Sequence, residues 1–168
     1  MAGLVYDLMD ILEDELLLYN KLLEISKRKT DIIVAGDVNA LHELTKEEQE
    51  VVAKNLKLEK QREEIIGDIA LVLNEKKETL TITRLIERLG DLEEDKKRLK
   101  EIQSKIKDVL AKLKQSNEQN KVLLEQSMEM ISYTINAIQS TRSFSTNDYS
   151  NGGKIQNQSG QNFFDTRQ

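Results

Sequence analysis

The sequence predicts an all-α protein: an elongated antiparallel bundle of three long helices with short connecting helices, followed by a disordered C-terminal tail. Three long segments carry apolar residues at three- and four-residue steps, which is the spacing of an amphipathic helix. The 168 residues include no proline, so few hard helix breaks are expected. One third of the residues are charged and only 4% are aromatic, a composition typical of long exposed helices. A lone helix of this polarity gains little stability, so the three apolar faces are expected to pack together.

The first helix is predicted from about Leu4 to Ala35. Gly36 and Asp37 then form a stop-and-start signal, because glycine suits the left-handed residue after a helix and aspartate caps the free amides of the next one. The apolar face of this helix is made of Leu4, Leu8, Ile11, Leu12, Leu16, Tyr19, Leu22, Leu23 and Ile33.

The second long helix is predicted to follow a short helical turn over residues 38–44. Thr45-Lys46-Glu47-Glu48 has the pattern of a capping box, in which the Thr45 hydroxyl and the Glu48 carboxylate each accept a free amide at the helix start. The helix then continues to about Leu73. Gly67 lies inside it and costs about 1 kcal/mol relative to alanine, so we expect a close helix contact there rather than a hinge.

A short helix is predicted in the connection between the second and third long helices. Thr81 is placed to cap a helix over residues 82–89, and Gly90 is placed to end it. The third long helix is predicted from about Leu92 to Ile138.

After Ser140 the composition changes to Ser, Asn, Gln and Gly without apolar periodicity. Such a segment cannot bury enough surface to offset its ordering entropy. Residues 1–139 are therefore predicted to form a helical domain, and residues 140–168 a low-complexity tail. Four of the seven aromatic residues nevertheless lie in that tail: Phe144, Tyr149, Phe163 and Phe164. The tail is either a passive solubilising segment or a cover, in which the last two aromatics fold back onto an apolar groove of the third helix.

Charge and composition argue against several classes of function. The net charge of −5 disfavours duplex nucleic acid, which rewards clustered lysine and arginine. No segment approaches the roughly 20 apolar residues of a membrane span, and the acidic first residues lack the basic region of a signal peptide. The absence of cysteine excludes a disulfide scaffold and a thiolate metal site. A cytoplasmic protein without membrane insertion is predicted.

Few residues suit catalysis or cofactor binding. His42 is the only histidine and is predicted to be solvated, and the chain has neither a Glu-x-x-His pair nor a glycine-rich phosphate loop. The acidic runs lie beside lysines or arginines along predicted helices, so solvated faces with ion pairs explain them better than metal ligation. No enzymatic activity, catalytic residue, cofactor or metal is predicted.

The segment LKQSNEQNKVLLEQSMEMI, residues 113–131, interrupts the apolar stripe of the third helix with Asn117 and Asn120. Two interpretations remain open on physical grounds. Buried amides can pair inside a bundle and penalise wrong alignments, or they can hydrogen-bond a partner within an apolar groove. The stripe resumes after them, and an exposed Leu/Met stripe usually marks a partner surface because methionine adapts to varied shapes.

The order of these features resembles the FlgN-type flagellar export chaperones over roughly residues 8–138. At the start, the resemblance rests on Glu15-Leu16, Tyr19, Leu22-Leu23, Lys29, Ile33-Val34, Gly36-Asp37, Leu41, Leu44-Thr45, Glu48-Gln49, Leu58-Glu59 and Arg62. At the end, it rests on Leu113, Asn117, Asn120, Leu123-Leu124, Ser127 and Ile131. The Gly-Asp break before Leu-Thr-x-x-Glu-Gln and the Asn-x-x-Asn-x-x-Leu-Leu ending together give the resemblance its specificity.

The resemblance implies an α-helical chaperone that binds the C-terminal helical segments of hook-associated (hook–filament junction) proteins and keeps them soluble until type III secretion. It favours the partner interpretation of the two amides. The expected partner-binding residues are Asn117, Asn120, Leu123, Leu124, Ser127, Met128, Ile131 and Ile135. The alternative is a structural coiled-coil scaffold or tether that self-associates through its long helices. Weak homo-oligomerisation is compatible with both the chaperone and the scaffold.

Overall fold

The computed structural model describes residues 2–90 and 92–145, which are almost entirely helical. Helix α1 spans Ala2–Ala35, α2 spans Val38–Leu73, α3 spans Ile82–Arg88 and α4 spans Glu93–Ser145, and a 3-10 turn at Lys77–Thr79 precedes α3. No strand occurs within the described ranges. The predicted all-α class is confirmed, with long helices joined by short ones. The disorder predicted from residue 140 is wrong for residues 140–145, because they form the last part of α4. Residues 146–168 lie outside the described ranges.

The chain divides into two compact units, residues 1–127 and residues 128–168, with the boundary inside α4. The first unit holds α1, α2, α3 and the first part of α4. The division predicted after residue 139 stays a prediction, because most of the tail lies outside the described ranges.

Within the first unit, paired side chains give the directions of the long helices. Between α1 and α2, Glu15 Oε1 lies 3.1 Å from Arg62 Nε. Lys29, further along α1, pairs with Glu48, which precedes Arg62 in α2, so the two helices are antiparallel. From α1 to α4, Glu13 accepts from Arg98 at 2.8 Å and Thr30 donates to Asn120 at 2.6 Å. Residue numbers increase in the same direction along both helices, so α1 and α4 run parallel.

Two apolar clusters form the core of the first unit. The larger one joins the start of α1, the end of α2, α3 and the start of α4, and includes Leu8, Leu12, Ile69, Leu85 and Leu99. The smaller one lies further along α1 and contains Leu22, Ile25, Leu44 and Val51, with Leu113 of α4 packed against it. The short α3 therefore covers one end of the larger cluster, while the long helices alone build the smaller one.

The helix boundaries follow the predicted capping signals. Gly36 has a φ of 68°, and the Asp37 carboxylate accepts the Ala40 amide at 2.9 Å to start α2. The Thr81 hydroxyl accepts the Arg84 amide at 3.2 Å to start α3, and Gly90 has a φ of 57° after it. These local predictions are confirmed because each depends on backbone geometry within a few residues.

The capping box predicted at Thr45 is wrong. Helix α2 runs without interruption from Val38, and the Thr45 hydroxyl donates to the Leu41 carbonyl oxygen one turn earlier at 2.8 Å. The Glu48 carboxylate pairs with Lys29 of α1 instead of reaching back to an amide. Asp37 already caps this helix, and the buried Leu44 joins its first turns to the core, so nothing ends the helix before Thr45.

The close helix contact predicted at Gly67 is also wrong. A Cβ atom added there would meet only the Lys77 side chain, at 3.6 Å from Cδ and 3.9 Å from Cε, which is ordinary van der Waals contact. Helix α2 continues through the glycine, so the structure has no hinge there either. The glycine therefore costs helix stability with no packing gain.

We expect Gly67→Ala to stabilise the protein by about 1 kcal/mol, because alanine loses less backbone entropy than glycine inside a helix. Thermal unfolding should shift upwards by about 2–4 °C. Gly36→Ala is the matched control: it adds the same methyl group at a φ of 68°, where an L residue is strained, and should lower stability. A destabilised Gly67→Ala variant would mean that the Lys77 contact is tighter than these distances imply.

Candidate functional site

Five polar side chains join α1 to α4 in the first unit. The Asn120 amide nitrogen donates to the Ser26 carbonyl oxygen at 2.7 Å, and its amide oxygen accepts from the Thr30 hydroxyl at 2.6 Å. The Ser26 hydroxyl donates to Asn117 Oδ1 at 2.8 Å and lies 2.7 Å from the Ser116 hydroxyl. We call Ser26, Thr30, Ser116, Asn117 and Asn120 the polar cluster.

The polar cluster bears directly on the two interpretations of the amides. Asn120 is only 3% exposed, and both ends of its amide are bonded within the chain. Asn117 is exposed as a residue, although its amide oxygen is bonded to Ser26. This geometry supports the register interpretation for Asn120. A partner-binding role for either amide stays a prediction.

Sequence reasoning missed the α1 half of this cluster. Ser26 and Thr30 interrupt the apolar face of α1 one turn apart, as Asn117 and Asn120 interrupt that of α4. Two amphipathic helices with matching polar interruptions are the available signal for a buried polar contact between them, because buried polar groups need partners.

The register set by the cluster places the end of α1 beside a defined part of α4 within the first unit. Thr30 lies opposite Asn120, so Ala35, the last residue of α1, is level with about residue 125. Leu124 and Ser127 are half-buried, and the Ser127 hydroxyl donates to the Leu123 carbonyl oxygen.

An open groove of about 770 Å³ runs along α4 beside α1 in the first unit. Leu123, one of the predicted partner-binding residues, lines it, and its other lining residues include Thr30, Lys114, Glu118 and Val122. Leu123 is half-buried and Val122 is exposed, so apolar surface is accessible at this end of the groove.

In the second unit, α4 exposes a row of large apolar side chains. Met128 is 67% exposed, Ile131 59%, Ile135 49% and Ile138 52%. They follow one another at steps of three, four and three residues, so they share one face of the helix. We call these four residues the apolar stripe. Scattered exposed apolar residues are normal on protein surfaces, but four aligned on one face are typical of a partner surface.

The apolar stripe extends further than the sequence analysis predicted. Ile138 was not among the predicted partner-binding residues, although it continues the spacing of Ile131 and Ile135. Met130 and Tyr133 are also exposed, and at 3.6 residues per turn they lie on the opposite side of the helix. No charged residue occurs between Met130 and Thr141, in a chain in which a third of the residues are charged.

The described residues contain little that could support catalysis or metal binding. No group of three or more potential metal-ligating side chains comes together among them. His42 is exposed. No helix within the described ranges is both long and apolar enough to cross a membrane.

The buried carboxylate of Glu15 belongs to the core rather than to a cleft. It is 1% exposed, and its Oε1 lies 3.1 Å from Arg62 Nε without the geometry of a hydrogen bond. Burial raises the pKa of Glu15 above its ordinary value of 4.5, and the Arg62 charge opposes this only in part. The charged form of Glu15 is therefore less favourable in the folded protein than in the unfolded chain.

The raised pKa of Glu15 predicts how the free energy of unfolding changes with pH. Because the folded protein holds the Glu15 proton more tightly, the Glu15 contribution to the free energy of unfolding should decrease as pH rises from 4.5 through the raised pKa. Urea unfolding at several pH values should show wild type losing stability relative to Glu15→Gln as pH rises. Glu64→Gln, which removes an exposed carboxylate from the Arg62 helix, is the control. Parallel pH profiles for wild type and Glu15→Gln would contradict the raised pKa.

The same substitution at the two amides should have very different costs. Asn120→Asp places a carboxylate against the Ser26 carbonyl oxygen with no donor to offer it, so we expect a loss of about 3 kcal/mol or more at pH 7. Asn117→Asp keeps an acceptor for the Ser26 hydroxyl at an exposed position and should cost less than about 1 kcal/mol. Urea denaturation of both variants measures the difference, and equal small losses would show that Asn120 is not a buried register contact.

Comparison with known proteins adds one finding. The family model described as FlgN protein matches residues 1–157, which include all four helices, the polar cluster and the apolar stripe. No curated protein and no solved structure matches the chain. The family match covers well over half of the sequence, so the chain belongs to the FlgN family of flagellar export chaperones.

Proposed function

We propose that this chain is a cytoplasmic flagellar export chaperone that binds the C-terminal helical segments of hook-associated proteins and keeps them from associating before secretion. The observation that carries the proposal is the apolar stripe, in which Met128, Ile131, Ile135 and Ile138 are all about half-exposed or more. Membership of the FlgN family supports the chaperone class and a flagellar partner. The hook-associated client and its C-terminal segment are the finer part of the proposal.

The stripe fits an amphipathic helix as its ligand. A client helix laid along α4 would present its own apolar face to Met128, Ile131, Ile135 and Ile138, which is the helix-in-groove mode of recognition. Full burial of one such side chain contributes about 1.5–3 kcal/mol. Client segments that would otherwise self-associate through the same apolar faces are thereby kept apart.

The chemistry of the stripe also suits a chaperone with more than one client. From Met130 to Thr141 the helix offers no charge for an ion pair, so recognition rests on apolar contact and shape. The unbranched side chain of Met128 adapts to different partner surfaces at little cost. We therefore expect a client to be selected by its apolar face rather than by its charges.

The remaining predicted residues have separate roles in this proposal. Leu123 and Leu124 offer apolar contact beside α1, and Ser127 lies next to them. Asn120 first holds α4 in register with α1, since its amide is bonded within the chain. Asn117 is the amide more accessible to a client, because it is exposed.

A second candidate function has one observation in its favour. The three-four-three spacing of the stripe is that of a coiled-coil seam, so two copies of α4 could pair along it as a scaffold. Light scattering at micromolar concentration separates the two functions. A stable homodimer that added client segment does not displace would favour the scaffold.

We expect Ile131→Asp with Ile135→Asp to lower client affinity at least about 100-fold, because each aspartate replaces apolar contact with a charge that must be desolvated. Binding is measured by calorimetry with the C-terminal helical segment of a hook-associated protein from the same cell. Both residues are exposed, so helicity and the unfolding temperature should change little.

The matched control for this double variant is Asn136→Asp with Ser140→Asp. It adds the same two negative charges to the same helix. Both positions lie on the face of α4 that contains Glu129, away from the apolar stripe. Client affinity should fall less than about threefold. An equal loss in both variants would show that charge alone, and not the stripe, controls binding.

A further inference from the structure

We propose that the end of the chain, around Phe163 and Phe164, docks on the apolar stripe when no client is bound. The docking itself is a property of this chain alone, whereas its effect on client binding rests on the proposed function. The inference combines three observations: the exposure of the stripe, the composition of the chain after Ser145, and the length of that chain.

The stripe belongs to a helical segment that has little else to support it among the described residues. Every residue from Met128 to Thr141 is exposed. The segment is rich in Ile, Ser, Thr and Asn, which have lower helix propensity than alanine or leucine. A helix of this kind is stabilised mainly by packing of its apolar face, so a segment that covers the stripe would also stabilise the helix.

The chain after Ser145 contains side chains suited to cover that stripe. Phe163 and Phe164 are adjacent to each other, among Asn, Gln and Gly residues. Aromatic side chains bury about 150–250 Å² each and form favourable sulfur contacts with methionines such as Met128. Asp165 and Arg167 follow with opposite charges that cancel. Docking would therefore bring no net charge from these two residues to the uncharged stripe.

The length of the intervening chain matches the span it would need to cross. Ile131 lies about 21 Å along the α4 axis from Ser145, at 1.5 Å per residue. About 18 residues lead from Ser145 to Phe163, and a flexible linker of that length has a root-mean-square span of about 21–25 Å. Effective concentration is highest when the linker span equals the distance, reaching the millimolar range.

Because the linker span equals the distance to the stripe, the chain's own terminus is favoured over a second copy of the protein as the segment that covers the stripe. At micromolar protein, the attached phenylalanines are present near the stripe at roughly a thousandfold higher concentration than those of another molecule. A contact of two side chains is nevertheless small, so a client helix that covers the whole stripe would displace it. The terminus thus lowers client affinity by the fraction of molecules whose stripe is open.

The absence of tryptophan from the chain provides a direct test that needs no client. Phe163→Trp introduces a single tryptophan at the proposed contact. We expect a blue-shifted emission maximum and at least twofold weaker quenching by acrylamide than for the same protein carrying Ile131→Asp and Ile135→Asp. The reporter carrying Asn136→Asp and Ser140→Asp should behave like the parent. Emission typical of an exposed indole in all three proteins would overturn the proposal.

Dilution from 100 to 1 μM separates docking within one chain from docking between chains. The emission and quenching of the reporter should not change over this range. A shift towards exposed indole on dilution would mean that the terminus binds a second copy, which also overturns the proposal.

Client binding provides the second readout. Deletion of residues 146–168, or Phe163→Ser with Phe164→Ser, should tighten binding of the client segment by about two- to tenfold. Equal affinities would overturn the competition between terminus and client. If no variant binds the segment, the proposed function fails, while the tryptophan measurement still decides whether the terminus docks.

Discussion

The hydrogen bonds of Asn120 to Ser26 and Thr30 are the constraint on which the arrangement of α1 and α4 depends. Apolar side chains along two parallel helices can pack in more than one register at similar cost, because leucine and isoleucine contacts are interchangeable. A buried amide is not interchangeable in this way. Sliding α4 by one turn would break the present bonds of the Asn120 amide to Ser26 and Thr30, and each buried polar group left unsatisfied costs about 1–3 kcal/mol. The cluster therefore converts two amphipathic helices into one defined pair.

The set of α4 side chains that α1 covers within the first unit follows from that register. With Thr30 opposite Asn120, α1 ends level with about residue 125. A register shifted by one turn would bury a different set of α4 side chains in the first unit. The same polar contact thus determines which α4 side chains of the first unit pack against α1.

The proposed function also places opposite demands on the apolar stripe. A client segment would bind the stripe only if the stripe is accessible, yet an accessible apolar face promotes association of the chaperone with itself. In this part of α4, apolar rows alternate with Ser, Thr, Asn and Gln, and no residue is charged over twelve residues. The polar residues leave the apolar face accessible, but no charge opposes self-association. A terminus that occupies the stripe weakly would reconcile the demands, because it covers the face in the free protein and yields to a longer client helix.

The sequence by itself determined the all-α class, the break at Gly36 and Asp37, and the start of α3 at Thr81, because periodicity and capping are local properties of the chain. It misplaced a helix start at Thr45, where the capping pattern was present but Asp37 had already capped the helix and the buried Leu44 continued it. The sequence identified the face on which Asn117 and Asn120 lie, but not what that face would meet. Only the tertiary structure placed Ser26 and Thr30 against Asn120, because the partner of a buried amide is distant in the chain, and helical periodicity specifies a face without specifying its neighbour.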